Sequence, residues 1–258
     1  MGYEDVTYEV HEGIARITIN RPKVMNAFRA QTCEELISAF HAAGTDRAVG
    51  VVVLAGAGDR AFCTGGDQSS HTGQYDGRGT IGLPVEDLHG AIRDIPKPVI
   101  ARVQGYAIGG GNVLATVCDF TVASEKAVFG QVGPKVGSVD PGYGTAYLAR
   151  VVGEKKAREI WMLCRKYSAN EALAMGLVNA VVPHERLDTE VDVWCKELLE
   201  KSPTALAIVK RSMNADTESI RGIASLGLQA VSLYYGTDEA KEGVVAYREK
   251  RPPRFRKP

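Results

Sequence analysis

The spacing of apolar and polar positions changes period partway along the chain. Residues 7–10 and 15–19 are β-rich runs on either side of His11-Glu12-Gly13, which predicts an opening hairpin. Thr32 is placed to cap a helix in which Leu36, Ile37 and Phe40 share one face. Residues 49–54 form a nearly continuous apolar run, the mark of a strand covered on both faces, and 99–103 and 120–123 read the same way. Residues 86–95 read as a helix stopped by Pro96-Lys97-Pro98, and a second helix opens at Gly109-Gly110-Gly111. Strand, helix and strand in this alternation predict parallel pairing with right-handed crossovers. Residues 68–84 are polar and carry Gly73, Gly77, Gly79 and Gly82, a long irregular loop of the kind that is either a functional lid or disordered. From 129 to 144 glycines and prolines are dense enough to forbid regular structure, with Asp140-Pro141-Gly142 as a turn. Beyond 144 the period is helical, over 145–152, 154–164, 169–175, 185–199, 204–214, 220–235 and 238–250. The chain therefore reads as strand-rich to about residue 143 and helical after it, with no internal repeat.

Two glycine clusters bear chemistry. Phe62-Cys63-Thr64-Gly65-Gly66-Asp67-Gln68 closes a strand, and Ile108-Gly109-Gly110-Gly111-Asn112 opens a helix. Two such clusters can aim two backbone amides at one oxygen, because glycine removes the side chain that would block a ligand atom. The second cluster also adds the positive end of a helix. An enolate oxygen held there gains roughly 3–4 kcal/mol per donor in the transition state. The alternative on spacing alone is that these glycines serve only turns and close packing. Gly56-Ala57-Gly58-Asp59-Arg60-Ala61 matches the letters of a dinucleotide fingerprint. That fingerprint must open a helix, and Gly65-Gly66 follows too soon for one.

Composition narrows the classes. The chain has 258 residues, 45% hydrophobic and 24% charged, with 31 basic and 31 acidic side chains, so nothing advertises nucleic acid or an acidic membrane surface. A basic cluster, Lys250, Arg251, Arg254, Arg256 and Lys257, closes the chain and can meet phosphates or solvent. Five cysteines and five histidines are scattered without metal-ligand spacing; the thiols read as those of a reduced, cytoplasmic protein without a metal site. The first residues lack the features of a signal peptide, and no window is long and apolar enough to span a membrane.

Asn26-Ala27-Phe28, Ala61-Phe62-Cys63-Thr64-Gly65-Gly66-Asp67, Pro96-Lys97-Pro98-Val99, Gly105-Tyr106-Ala107-Ile108-Gly109-Gly110-Gly111 and Ala174-Met175-Gly176-Leu177-Val178 resemble, in order and over nearly the whole chain, the crotonase superfamily of acyl-CoA enzymes. The resemblance implies an α/β chain, with a core of stacked ββα turns carrying the acyl-CoA site over 1–200. A helical C-terminal region over 201–258 would contribute to a homotrimer or homohexamer and to the site. It implies that the amides of Gly66 and Gly110 form an oxyanion hole, that no cofactor is needed beyond the coenzyme A of the substrate, and that neither nucleic acid nor membrane is a partner. Coenzyme A would lie over 23–28 and 63–67. That brings in Lys23, Ala27, Cys63, Gly65, Asp67 through its backbone, and Gln68, with Lys97, Lys250 and Arg251 as phosphate contacts.

Two departures redirect the chemistry. Hydratases of this superfamily carry one glutamate just after the triple glycine and another just after Phe-Gly-Gln, where this chain has Val113 and Gly133. Gly137-Ser138-Val139-Asp140, Lys155-Lys156-Ala157-Arg158-Glu159-Ile160-Trp161 and Tyr234-Tyr235-Gly236-Thr237-Asp238-Glu239 resemble instead the branch that opens or closes a ring on a β-keto thioester. Within it the 2-ketocyclohexanecarboxyl-CoA hydrolases come first and the 1,4-dihydroxy-2-naphthoyl-CoA synthases next. Met25, Ser69-Ser70-His71 and Val139-Asp140-Pro141-Gly142-Tyr143 stand where synthases carry cations or Phe-Asp-Gly-Gly-Trp. Val132 replaces a threonine that helps hold bicarbonate in some synthases, while Trp161 matches the accompanying tryptophan. The expected roles are Asp140 as general base, Tyr235 as donor to the ketone, reaching the site of a neighbouring subunit, and Ser138 as support for the water or the carboxylate.

Overall fold

The computed structural model describes residues 2–69 and 75–256; Ser70, His71, Gly73 and Lys257 lie outside the described residues. The chain opens with β1 (Val6–His11) and β2 (Ile14–Ile19), an antiparallel hairpin turned by Glu12 and Gly13, both at positive φ. Helix α1 (Ala30–Thr45) follows. Thr32 sits inside its first turn rather than at the cap: its hydroxyl accepts the Arg29 N–H at 3.2 Å and donates to Asp5 at 2.6 Å, so a buried carboxylate has drawn it inward.

Three further turns repeat one plan. β3 (Val51–Gly56), β4 (Ala61–Cys63) and α2 (Val85–Asp94) make the first; β5 (Val99–Val103), β6 (Tyr106–Ile108) and α3 (Gly110–Val117) the second; β7 (Phe120–Ser124), β8 (Val128–Gly130) and the short α4 (Gly133–Val136) the third. The first strand of each turn joins a six-stranded sheet, and the second joins a four-stranded sheet. Strands of successive turns pair in parallel, as the covered apolar runs predict. The repeat is one of backbone path and leaves no trace in residue identities. It also brings β8 and α4 into the segment read as irregular. Val128–Gly130 gains ladder partners on both sides, and Pro134 stands in the first turn of α4, where its missing N–H costs nothing.

A π-helical turn (Tyr143–Tyr147) leads into α5 (Leu148–Val152) and α6 (Glu154–Leu163). Then come β9 (Lys166–Ser168), α7 (Ala169–Ala174), β10 (Ala180–Val182), α8 (Leu187–Leu199), α9 (Pro203–Asp216), α10 (Ser219–Tyr235) and α11 (Asp238–Arg248). The C-terminal part is thus not wholly helical: β9 adds antiparallel to β8, and β10 adds parallel to β7 at the sheet edge. Each strand has three residues, too short for its alternation to register against the helices around it.

The large sheet is buried on both faces. Val52 and Leu54 point into the main core with Phe40, Phe62 and Leu114, whereas Val51 and Val53 meet Ile100, Val122, Leu187 and Val191 under α8. Burying each of these side chains contributes about 1.5–3 kcal/mol, which is why 49–54 shows no polar alternation. Every strand of the small sheet but β9 ends where a glycine-bearing segment begins, at Cys63, Ile108 and Gly130, and the cavity lies beyond those ends. None of the described helices is long and apolar enough to cross a membrane.

Candidate active site

A cavity of 980 Å³ runs from the ends of β4, β6 and β8 to the end of α11. It is lined by Gly65, Gly66, Gly110, Ser138, Asp140 and Tyr235, so the residues expected to act together do meet. Both donor glycines are reached by one device. Gly65 (φ 86°) and Gly109 (φ 58°) precede them in backbone conformations that only glycine adopts without strain. A Cβ on Gly65 would stand 2.9 Å from the Gly110 nitrogen, so the two segments touch backbone to backbone. Gly110 is the first residue of α3, where the amide has no intrahelical acceptor. The Gly66 amide lies in a bridge whose bonds are made by its neighbours: Phe28 N–H donates to Gly65 at 2.8 Å and Asp67 N–H to Phe28 at 2.8 Å. Among the described residues neither glycine amide is taken by a protein acceptor. Two converging amides, one at a helix start, can bind a developing oxyanion.

Opposite them, the Ser138 main chain and the Trp161 ring occupy the space that a side chain at 133 would take. A Cβ on Gly133 would meet the Ser138 carbonyl at 2.4 Å and the Trp161 ring at 2.9 Å. Asp140 accepts the Gly144 N–H, and the Trp161 indole N–H donates to the Gly144 carbonyl, so both ends of that residue are tied. The π-turn at this point is a feature often found at functional sites. Asp140 is half-buried and lines the cavity, and the desolvation of its carboxyl pushes its pKa up to about 7 against the single lowering bond from Gly144. Ser138 and Tyr235 hydroxyls are 2.8 Å apart. Burial raises Tyr235 to about 12, with the Ser138 bond opposing and the Asp140 charge adding, so it stays a proton donor near neutrality. Tyr235 lines the cavity of its own chain, because α10 and α11 fold back onto α4 and the π-turn.

The expected coenzyme contacts divide. Ala27, Gly65, Asp67, Gln68, Lys250 and Arg251 line the cavity. The Asp67 backbone N–H is already used by Phe28. Burial alone would raise its carboxyl pKa, yet Ser69 and Arg21 hold it lowered, with Arg21 Nη1 at 2.9 Å. The Ala27 carbonyl accepts from Arg21. Cys63 does not line the cavity. It ends β4 with its thiol in the core, accepting the Gly65 N–H at 3.4 Å, and burial lifts it to about 12. Lys23 is exposed beside the lining residue Val24 but is not itself on the wall. Lys97 turns away altogether, donating to the Ala43 and Asp46 carbonyls at 2.5 Å near the C-terminal end of α1.

Several wall residues carry no mark in the sequence. Lys135 and Lys166 are exposed and join Lys250 at the mouth, a cationic rim suited to phosphates. The buried interior is apolar, with Phe28, Ile81, Leu83, Val85 and Leu228. Tyr75 covers Gly66, its hydroxyl 2.3 Å from where a Cβ would stand, and is bonded by Gln68 Nε2 at 3.3 Å. Gln131 is buried with its side-chain carbonyl unpaired among the described residues, ready to accept a ligand hydrogen. Phe28 stands in the Asn26-Ala27-Phe28 motif, Lys250 in the closing basic cluster and Leu228 in a predicted helix, but nothing in the sequence placed them with Tyr75, Lys135 and Lys166 on one wall. Among the described residues no group of His, Cys, Asp and Glu is placed to hold a metal ion.

Comparison with known proteins places the chain. The model of the enoyl-CoA hydratase/isomerase family matches residues 9–258. An enoyl-CoA hydratase from Mycobacterium avium subsp. paratuberculosis is 33% identical, covers 99% of this chain and 100% of its own, and superposes with a TM-score of 0.87. Subunit I of a Geobacillus kaustophilus enoyl-CoA hydratase is 30% identical over 98% of both chains, with a TM-score of 0.76. An enoyl-CoA hydratase/carnitine racemase from Magnetospirillum magneticum is 30% identical over 99% of this chain and 96% of its own, with a TM-score of 0.78.

Proposed function

This chain belongs to the enoyl-CoA hydratase/isomerase family and has its crotonase fold, and on that basis we propose that it opens the ring of 2-oxocyclohexane-1-carboxyl-CoA hydrolytically to pimelyl-CoA, in anaerobic breakdown of benzoate-type rings. Family members process acyl-CoA thioesters, and the similar structures include hydratases. Hydration of an enoyl thioester uses two carboxylates to activate water and deliver a proton. Here the position of one is Val113, and the space of the other is filled by the Ser138 carbonyl and Trp161. The observation that carries the reading is this exchange. The loop that excludes a glutamate at 133 brings one desolvated carboxylate, Asp140, into the cavity of the two glycine amides.

In the proposed reaction Asp140 takes a proton from water as its oxygen bonds to the ring ketone. Tyr235, bonded to Ser138, donates to the ketone oxygen as that oxygen gains charge. The adduct collapses, the carbon–carbon bond breaks, and its electron pair passes into the thioester, whose oxygen the Gly66 and Gly110 amides hold. A proton on the α-carbon completes pimelyl-CoA. One water is consumed: its oxygen and one hydrogen enter the new carboxyl group, and its other hydrogen is balanced by the α-carbon proton. No redox or metal chemistry enters these steps. The ring would sit among Ile81, Leu83, Val85 and Leu228, with the coenzyme phosphates at the rim of Lys135, Lys166 and Lys250.

The ring-closing 1,4-dihydroxy-2-naphthoyl-CoA synthase reaction fits less well. The Trp161 N–H that would hold bicarbonate is committed to Gly144, Val132 offers no hydroxyl, and the apolar interior does not suit a benzoate carboxylate. The apolar residues Ile208, Val209 and Met213 on α9 and Leu226 and Leu233 on α10 are exposed, which supports assembly into the homotrimer or homohexamer expected. Incubation with 2-oxocyclohexanecarboxyl-CoA in ¹⁸O water tests the function. One labelled oxygen in the free carboxylate of pimelyl-CoA is the expected result. Free CoA with the ring intact means a thioesterase, and turnover of o-succinylbenzoyl-CoA alone means the synthase.

A further inference from the structure

One residue touches both segments that carry the donor amides, by its main chain on one side and its ring on the other. The main chain of Phe28 brackets Gly66: its N–H donates to the Gly65 carbonyl at 2.8 Å and its carbonyl accepts the Asp67 N–H at 2.8 Å. The ring of Phe28 lies against the other donor, since a Cβ on Gly110 would stand 2.6 Å from Cζ and 3.0 Å from Cε1. Phe28 is 4% exposed, so the ring has little room to swing. The segment behind it is clamped as well. Arg21 donates to the Ala27 carbonyl, pairs with the Asp67 carboxylate at 2.9 Å and approaches Asp5 at 3.5 Å.

We propose that Phe28 is the positioning residue that sets the separation of the Gly66 and Gly110 amides, with Arg21 as the clamp that keeps its main chain in register. An aromatic ring suits this role because it has two torsions and a fixed width, so its backbone end and its tip cannot drift independently. Oxyanion donors must lie about 2.7–3.1 Å from the oxygen they stabilise, and a misplacement of about 1 Å can cost roughly 100-fold. The inference rests on Gly66 and Gly110 serving as the thioester oxygen's donors. It does not depend on ring opening.

The test reads carbonyl polarisation without turnover. 4-(Dimethylamino)cinnamoyl-CoA is a push–pull chromophore whose absorption moves to the red as its thioester carbonyl is polarised. The wild-type protein should shift it, and Phe28→Leu should lose about half of that shift or more, with turnover down about 10-fold. Far-UV circular dichroism and a single cooperative thermal transition should be retained in Phe28→Leu, which a general loss of structure would not allow. Gly110→Ala alone should also lose the shift, because its Cβ meets the ring. In the double variant Phe28→Leu/Gly110→Ala the added methyl fills the space the ring leaves, so part of the shift should return. A full red shift in Phe28→Leu, or strictly additive losses in the double variant, overturns the proposal. Should Phe28→Leu fail to fold, Phe28→Met keeps the volume without the rigid ring and carries the same comparison. A preserved red shift in a wild-type protein that leaves the cyclic ketone intact refutes the proposed reaction and leaves this inference standing.

Discussion

Replacing Asp140 by Asn changes one proton-binding group and little else, since the amide oxygen can still accept the Gly144 N–H. Burial raises the Asp140 pKa from the ordinary 3.8 to about 7. The folded state therefore binds a proton that the unfolded chain has already lost between those two values, and stability falls as pH rises through that window. The contribution of this group is fully present below pH 3.8 and gone above about 7. Three pKa units at about 1.4 kcal/mol each give about 4 kcal/mol as an upper figure; water in the cavity reduces it to about 2–3 kcal/mol. Asn carries no such charge. Asp140→Asn should accordingly match the wild type in stability near pH 4 and exceed it near pH 8, by about 4–12 °C in melting temperature. Turnover should fall by about 100-fold or more, because a base is removed from the reacting atoms. The wild-type kcat/KM should rise with pH and level off above about 7, since the ionised form is the active one. Thermal melts of both proteins across the pH range, with ring-opening rates on the same samples, decide the matter. Parallel melting curves from pH 5 to 8 refute the desolvation argument, and turnover within about 10-fold of wild type removes Asp140 as the base.

Tyr235→Phe removes the hydroxyl that bonds Ser138 at 2.8 Å, and steady-state turnover should drop about 100-fold with little change in melting temperature. Gly133→Glu restores the hydratase residue type but drives a Cβ to 2.4 Å from the Ser138 carbonyl. It should lose about 1–3 kcal/mol in urea unfolding and show no gain in crotonyl-CoA hydration. Trp161→Phe removes the indole donor from the Gly144 carbonyl and loosens the segment that holds Asp140. A stability loss of about 1–3 kcal/mol and an altered pH profile of kcat/KM are expected. Met213→Glu places a charge on the exposed apolar face of α9, and if the proposed trimer or hexamer uses that face, sedimentation should show a smaller species than wild type at unchanged helix content.

Much of this is legible in the residues. The covered strands at 49–54 and 99–103, the glycines that break the apparent dinucleotide fingerprint, and the helix opening at Gly110 are local matters of period and steric freedom, which sequence carries directly. Asn26-Ala27-Phe28 and the triple glycine mark the family, and through that resemblance Asp140, Tyr235, Gly66 and Gly110 stand out without any geometry. What sequence could not carry is adjacency. Whether Cys63 faces the cavity or the core depends on which way the last residue of β4 turns, and Lys97 is held by the Ala43 and Asp46 carbonyls, some fifty residues away. That Tyr235 reaches the site of its own chain depends on how α10 and α11 pack, not on any residue within them. The raised pKa of Asp140 is a property of the walls around it, and the contact of Phe28 with both donor segments joins residues 28, 66 and 110 by pairing and packing alone. Period and steric freedom are properties of neighbours in the chain, whereas desolvation, close approach and donor spacing arise only among neighbours in space, and those were decided by the tertiary structure.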